Sequence, residues 1–360
     1  MSFRTAGRTL FKVAMPGSSG AASVSLLQNS SLMRIDIYTK SEELPWLVDG
    51  SVLHSAMMFR ALESSRGSKP YMLVAVGDDG AEVGHLLIIK RRNFRLLPPV
   101  LSYWYTINGE GVYSPSCASR EELFAAFIEK VFDMFDFRHN YIEVVNIEDS
   151  RFAYSILRKH DFIPMRDQRM YISLHSREPQ ERLTRAYRAH IRKAEAAGVT
   201  YSRAASEHEI GEGLSLLRNY YISKTRRRLP GREALYAMLH NADGTLSSRA
   251  KLFVVKYKEK IIGSSFCLYD KNRANLAYSC GLRKRFPMQY PGIMAIWAAL
   301  TDAHKLGYAH FEFLEARALS RLHRGFTNTL LNYGGKQVGT LRWYHFRWNL
   351  VNKILRSIYV

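Results

Sequence analysis

Cysteine is scarce in this chain. Three occur in 360 residues, Cys117, Cys267 and Cys280, with no CxxC pair and no zinc-like Cys/His cluster. That pattern excludes a disulfide framework and suits a reducing compartment. Long apolar runs are missing too: no stretch approaches the roughly 20 residues needed to span a bilayer. The phosphate loop GxxxxGK[ST], HExxH, GxSxG and the dinucleotide GxGxxG are all absent. What remains is transfer chemistry that needs neither metal nor covalent intermediate. Such an enzyme positions two substrates, takes a proton from an amine and stabilises an oxyanion. Negative charge is the last deficiency. Lys and Arg number 52 against 32 Asp and Glu, a formal charge of +20. Polyanions, anionic lipids and phosphate-bearing substrates are the partners this favours, with a solvated basic surface as the plain alternative.

What is present is organised in duplicate. Tyr71-Met-Leu-Val-Ala-Val-Gly-Asp-Asp-Gly-Ala-Glu-Val-Gly84 runs on through His85-Leu-Leu-Ile-Ile89, and Leu252-Phe-Val-Val-Lys-Tyr-Lys-Glu-Lys-Ile-Ile-Gly263 runs on through Ser264-Ser-Phe-Cys-Leu268. In each, a β-branched run, a polar turn and a second apolar run through one glycine spell a hairpin. Each hairpin precedes another strand (100–106 and 274–280) and a long amphipathic helix (119–137 and 291–306). A short aromatic strand with one carboxylate, Glu143 or Glu312, then closes each half. The length suits two domains. The duplication predicts two similar α/β domains whose shared cleft lies at or near their join.

Further elements follow from caps and periodicity. Ser51 is a candidate cap for a helix over 53–63, and Ser119-Arg-Glu-Glu122 opens the helix whose stripe is Leu123, Phe127, Ile128, Val131 and Phe135. Residues 180–198 read as one basic helix ended by Gly198. Residues 1–32 hold Arg4, Arg8 and Lys12 and no acid, and read as a disordered extension ahead of the strand that begins after Met33.

The strand–hairpin–strand–helix–strand order resembles the GNAT acyltransferase fold, and its doubled form resembles the Fem-type (FemAB-like) peptidoglycan aminoacyltransferases. Three phrases carry the likeness: His190-Ile-Arg192-Lys193-Ala-Glu-Ala-Ala-Gly198-Val, Tyr290-Pro-Gly292 with the helix running to Gly307-Tyr308 and Phe311-Glu312-Phe313, and Tyr333-Gly334-Gly335-Lys336. Together they span most of residues 33–346. The resemblance implies an α/β (α+β) class with two tandem GNAT domains, mixed central sheets flanked by helices. These would be a first domain at 33–178, a basic linker helix at 179–200, a second domain at 201–346 and an amphipathic basic C-terminal helix at 347–360. It implies a cytoplasmic acyl- or aminoacyltransferase acting without metal on an amine of a cell-envelope or lipid-linked acceptor that bears phosphates. The co-substrate is acyl-CoA or aminoacyl-tRNA. One departure bears on that choice. Where GNAT enzymes place a Gly-rich pyrophosphate loop, this chain reads Arg283-Lys-Arg-Phe-Pro-Met-Gln289-Tyr-Pro-Gly292, with one glycine and two prolines. So few free amides favour the Fem-type relatives over a CoA enzyme.

Chemistry-bearing residues follow from placement. Glu315, just past a strand end, is the first candidate base, and Glu312 the second; the plain reading of both is a salt bridge to Arg317 or Arg321. Tyr278 is a candidate donor to the oxyanion or leaving group. Lys284, Arg285, Gln289, Tyr290 and Gly292 are candidates for donor binding. Arg188, Arg192 and Lys193 are candidates for clamping acceptor phosphates, against a solvent-facing linker helix. Cys280 is a remote candidate nucleophile. No acid follows Glu315, while eight Lys and Arg do, and Leu350, Val351, Ile354, Leu355 and Ile358 form an apolar stripe. That tail suits peripheral contact with an anionic membrane at the inner face of the cell membrane, or a docked terminal helix. The rival to an enzyme is a non-catalytic GNAT-fold protein that binds nucleic acid or anionic membrane.

Overall fold

A computed structural model of the chain describes residues 24–26, 33–65, 67–92, 98, 102–135, 139–175, 177–225, 229–241, 243–314 and 329–359. β1 (Val24–Leu26) pairs antiparallel with β2 (Met33–Tyr38), and the rest of 1–32 lies outside the described residues. Next come α1 (Ala56–Glu63), β3 (Ser68–Val76), β4 (Glu82–Arg92), β5 (Tyr103–Asn108) and β6 (Val112–Tyr113). Ser55, not Ser51, caps α1, its Oγ accepting from the Met58 N–H at 3.2 Å. Ser51 caps the 3-10 turn before it, because the chain bends between the two. α2 (Arg120–Met134), β7 (Tyr141–Val145), α3 (Tyr154–Lys159) and β8 (Ile163–Ser173) complete the first half. Ser119 caps α2 as its spacing predicts, accepting from the Glu122 N–H at 3.3 Å.

The basic segment 180–198 is not one helix. α4 (Pro179–Arg182) stops at Leu183, whose side chain is buried and whose backbone is extended (ψ 140°), and α5 (Arg185–Ala196) begins afresh. Burying that one leucine outweighs a single helical hydrogen bond. Then follow β9 (Thr200–Arg203), α6 (Glu207–Tyr220), a π-turn at Tyr221–Thr225, and α7 (Arg232–Leu239). β10 (Ala250–Tyr257), β11 (Lys260–Tyr269), β12 (Arg273–Gly281), α8 (Pro291–Lys305), β13 (His310–Phe313), β14 (Lys336–Phe346) and α9 (Asn349–Tyr359) finish the chain.

The duplication extends to a shared irregularity. Ala75 faces Gly84 while Val76 faces Glu82, leaving Val83 as an extra residue. Val255 faces Gly263 while Lys256 faces Ile261, leaving Ile262 extra at the same place. β5 and β7 are parallel, as are β12 and β13.

The halves exchange their last strands. The sheet order is β1-β2-β3-β4-β5-β7-β14-β8-β13-β12-β11-β10-β9, with β6 beside β4. β8, from the first half, pairs with β13; β14, from the second, pairs with β7; and β8 and β14 pair with each other. Two expected sheets are therefore one. α2 and α3 cover one face of its first half, and α5 and α8 the same face of its second. On the other face α1, α6 and α7 share one buried cluster fed by β3, β4, β10 and β11, so the sheet curls until α1 packs on α7.

Candidate active site

The parallel pair β12–β13 has a register that runs from Arg273↔His310 to Leu276↔Phe313, with a tie from the Leu314 N–H to the Leu276 carbonyl at 3.1 Å. There β12 takes up an extra residue, Ala277, against β11. Such a bulge raises local twist and bends the strand, and β12 runs on through Tyr278 to Gly281. The first half pairs in the same way: β5 and β7 run from Tyr105↔Ile142 to Asn108↔Val145, with the Gly109 N–H on the Val145 carbonyl at 2.8 Å.

The first turn of α8 sits against the end of β12. Gly263 and Gly281 face each other across β11–β12. A Cβ on Gly281 would stand 2.2 Å from the Gly292 nitrogen, and one on Gly263 2.6 Å from the Pro291 carbonyl oxygen. Two glycines thus let helix backbone touch sheet backbone. Gly292 looks the other way: a Cβ there meets nothing within 4 Å. Its N–H and that of Ile293 belong to the first turn and have no acceptor inside the helix, while Pro291 has no N–H to offer. Tyr290, the residue before the helix, holds a left-handed backbone (φ 45°, ψ 47°). A non-glycine there is strained and needs outside support. His190 of α5 supplies it, its ring stacked on Tyr290 at 4.2 Å and 17°. Burial lowers the pKa of that imidazole, with Lys193 and Arg283 adding to the effect. A neutral ring stacks without leaving a charge beside two cations. Tyr333 reinforces the join, donating its hydroxyl to the Ile293 carbonyl at 2.9 Å.

Tyr221, in the π-turn after α6, reaches the end of β12. Its hydroxyl accepts from the Ser279 N–H at 3.3 Å, and its ring meets Tyr278 edge-on at 5.5 Å and 86°. One turn back along α6, a hollow of about 270 Å³ is lined by Ser215, Arg218, Asn219, Pro230 and Arg232 over Leu214 and Leu235. Arg218 and Arg232 are exposed at its rim.

The sequence-derived candidates fall into three groups. At the end of β12, Tyr278 packs on the α6 face and Tyr290 and Gly292 lie on the α8 face, with Lys284 and Arg285 exposed on the adjoining loop and Gln289 half-buried. α5 stands beside that loop. Its Arg192 and Lys193 are exposed, while Arg188 Nη2 donates to the carbonyls of Leu183 at 3.3 Å and Glu181 at 3.4 Å, bracing the α4–α5 break. Glu312 lies within the paired part of β12–β13, opposite Asn275. Both its oxygens are engaged, Oε2 by Arg169 Nη2 and Oε1 by Arg273 Nη1, each at 2.5 Å. Glu315, Arg317 and Arg321 lie outside the described residues. Burial raises the Cys280 thiol to about 12, which keeps it protonated at neutral pH. Among the described residues no cluster of His, Cys, Asp and Glu has the makings of a metal site. Sequence reasoning missed His190, Tyr221 and Arg218. His190 lay within a quoted phrase, but no spacing rule pairs it with a tyrosine a hundred residues on.

This architecture, with its glycine-seated helix, is a tandem GNAT fold. Residues 181–318 match the family described as acetyltransferase (GNAT) domain. No curated protein sequence matches the chain. Among solved structures it is similar to FemX, at 11% identity and TM-score 0.59 over 86% of this chain and 94% of that one. It is similar to the C-terminal domain of a putative lysylphosphatidylglycerol synthetase from Agrobacterium fabrum, at 11% identity and TM-score 0.55, covering 86% and 92%. L-PGS from Bacillus licheniformis aligns at 15% identity and TM-score 0.54, covering 86% and 93%.

Proposed function

We propose that this protein transfers an activated acyl or aminoacyl group directly to an amine of a phosphate-bearing, lipid-linked or other cell-envelope acceptor. The observation that carries the reading is the seating of the first turn of α8 on Gly263 and Gly281 at the bulged end of β12. It sets the first-turn amides of α8 beside that strand, a suitable cradle for an activated carbonyl and for donor phosphates. Gly292, Lys284 and Arg285 serve the donor, with Tyr290 and Gln289 shaping its loop. The hollow of Arg218 and Arg232 offers guanidinium forks for an acceptor phosphate, a role shared with Arg192 and Lys193 on α5. The names of the lysylphosphatidylglycerol synthetase and FemX neighbours sit comfortably with such an acceptor.

In the reaction the acceptor nitrogen attacks the carbonyl carbon. A C–N bond forms, and the C–S bond of a CoA thioester or the C–O bond of an aminoacyl ester breaks. The amine proton passes to a base, for which Glu315, the first residue past Leu314 in the sequence, is our assignment. Glu312, held by two arginines, steadies the strand pair. Tyr278 donates to the oxyanion or the departing group, with Tyr221 holding it in place.

Incubating the purified chain with radiolabelled acyl-CoA or charged tRNA, together with amine-bearing lipids and envelope precursors, tests this. Transfer from one donor is expected, reduced about 10- to 100-fold by Tyr278→Phe. No transfer from any donor, where a related enzyme works, would count against it. Salt-sensitive RNA binding without transfer would instead favour the non-catalytic reading.

A further inference from the structure

Among the described residues no helix is long and apolar enough to cross a membrane. α9 carries a different membrane signal. Asn352 faces inward and is 4% exposed; it donates to the Phe346 carbonyl at 2.6 Å and accepts from the Phe346 N–H at 2.9 Å. Arg356 pairs with Asp161 and neutralises it. A polar residue thus anchors the helix, and its apolar stripe points out: Leu350, Ile354 and Ile358 are 69%, 49% and 66% exposed. They follow one another at every fourth position, so they form a single ridge. With Trp348 they make four of the twelve exposed large apolar side chains among the described residues, all within eleven residues. That concentration marks a patch, since scattered apolar exposure would be spread over the chain.

We propose that α9 lies on the surface of an anionic lipid bilayer, its ridge entering the boundary between headgroups and acyl chains. Charge selects this occupant. Residues 336–359 hold no acid, and although Arg342 and Arg356 are spent on Glu143, Asp167 and Asp161, no negative charge of α9 itself faces the ridge. Lys353 is exposed on the flank of the ridge, and Lys159 is exposed two residues from Asp161. Apolar area and cations on one short helix suit lipid phosphates more than a second, equally basic copy of the chain. The surface lies apart from the junction of β12 and α8, so it stands whether or not the transfer reading does.

Co-sedimentation of the full chain with vesicles tests it, using phosphatidylcholine alone or with about 30 mol % phosphatidylglycerol, at low and high salt. Binding to the anionic vesicles is expected, weakened by salt, and at least about tenfold weaker for Leu350→Ser/Ile354→Ser/Ile358→Ser. Those side chains face outward, so the variant should keep the parent's circular dichroism and melting temperature. Equal binding by parent and variant would overturn the proposal, as would equal binding to both vesicle types. Self-association abolished by the variant, without vesicle binding, would assign the ridge to a second copy instead. Transfer to a water-soluble acceptor is measured alongside; its failure would bear on the proposed reaction and not on this surface.

Discussion

A methyl group on Gly281 would meet the amide nitrogen of Gly292 at 2.2 Å, backbone against backbone, so neither side has a flexible end to yield. Gly281→Ala should therefore lift α8 off the sheet, costing about 1–3 kcal/mol in denaturant unfolding. Gly292→Ala is the matching control. Its Cβ projects into open space, so stability should stay within about 0.5 kcal/mol while the KM for the donor rises. If both variants lost stability equally, the space before Gly292 would not be a binding surface. At this scale the sequence was partly legible. Tyr278, Tyr290 and Gly292 could be picked out because they sit on a predicted strand and loop beside a predicted helix. Tyr221 and Arg218 could not, since a helix end more than fifty residues upstream reaches them only through the packing of α6 on β11 and β12. Glu312 shows the opposite limit. Alternation placed it opposite Phe311 and Phe313, and that holds, but its described partners, Arg169 and Arg273, come from strands that no local pattern joins to it.

Strand exchange accounts for the carboxylate in each closing strand. Glu143 on β7 accepts from Arg342 Nη1 at 2.6 Å, and Glu312 on β13 accepts from Arg169 on β8. Each half thus supplies the acid and the other half's travelling strand the base. Arg342 also holds Asp167 through Nε at 3.1 Å, and all three side chains are buried. Arg342→Met would leave two carboxylates enclosed without a counter-charge. A loss of about 3–5 kcal/mol is expected, read from denaturant midpoints. A cost below about 1 kcal/mol would mean the ties contribute little to the junction. Helix α5 shows what periodicity does and does not carry. Its buried residues, Ile191 and Ala194, stand at helical spacing on one face, yet the break at Leu183 is set by the cluster that the leucine joins.

Over the whole molecule the exchange makes the halves interdependent. Both neighbours of β8, β13 and β14, belong to the second half, and both neighbours of β14, β7 and β8, belong to the first. Produced alone, residues 33–178 would carry an eleven-residue strand with nothing beside it, an aggregation hazard. Segments 33–178 and 179–360 are expected to fail to fold singly and to co-purify as one folded complex when expressed together. A cooperative melt from either alone would contradict that. The sequence by itself determined the duplicated hairpins, down to the glycine at the same place in each, the order of the elements and the basic charge, because propensity, alternation and composition are local. Only the tertiary structure decided that the last strands change places, that Gly263 and Gly281 receive the first turn of α8, and that the ridge of α9 faces outward. Each of those is settled by burial and pairing between residues far apart in the chain, where a local pattern is equally content with either outcome.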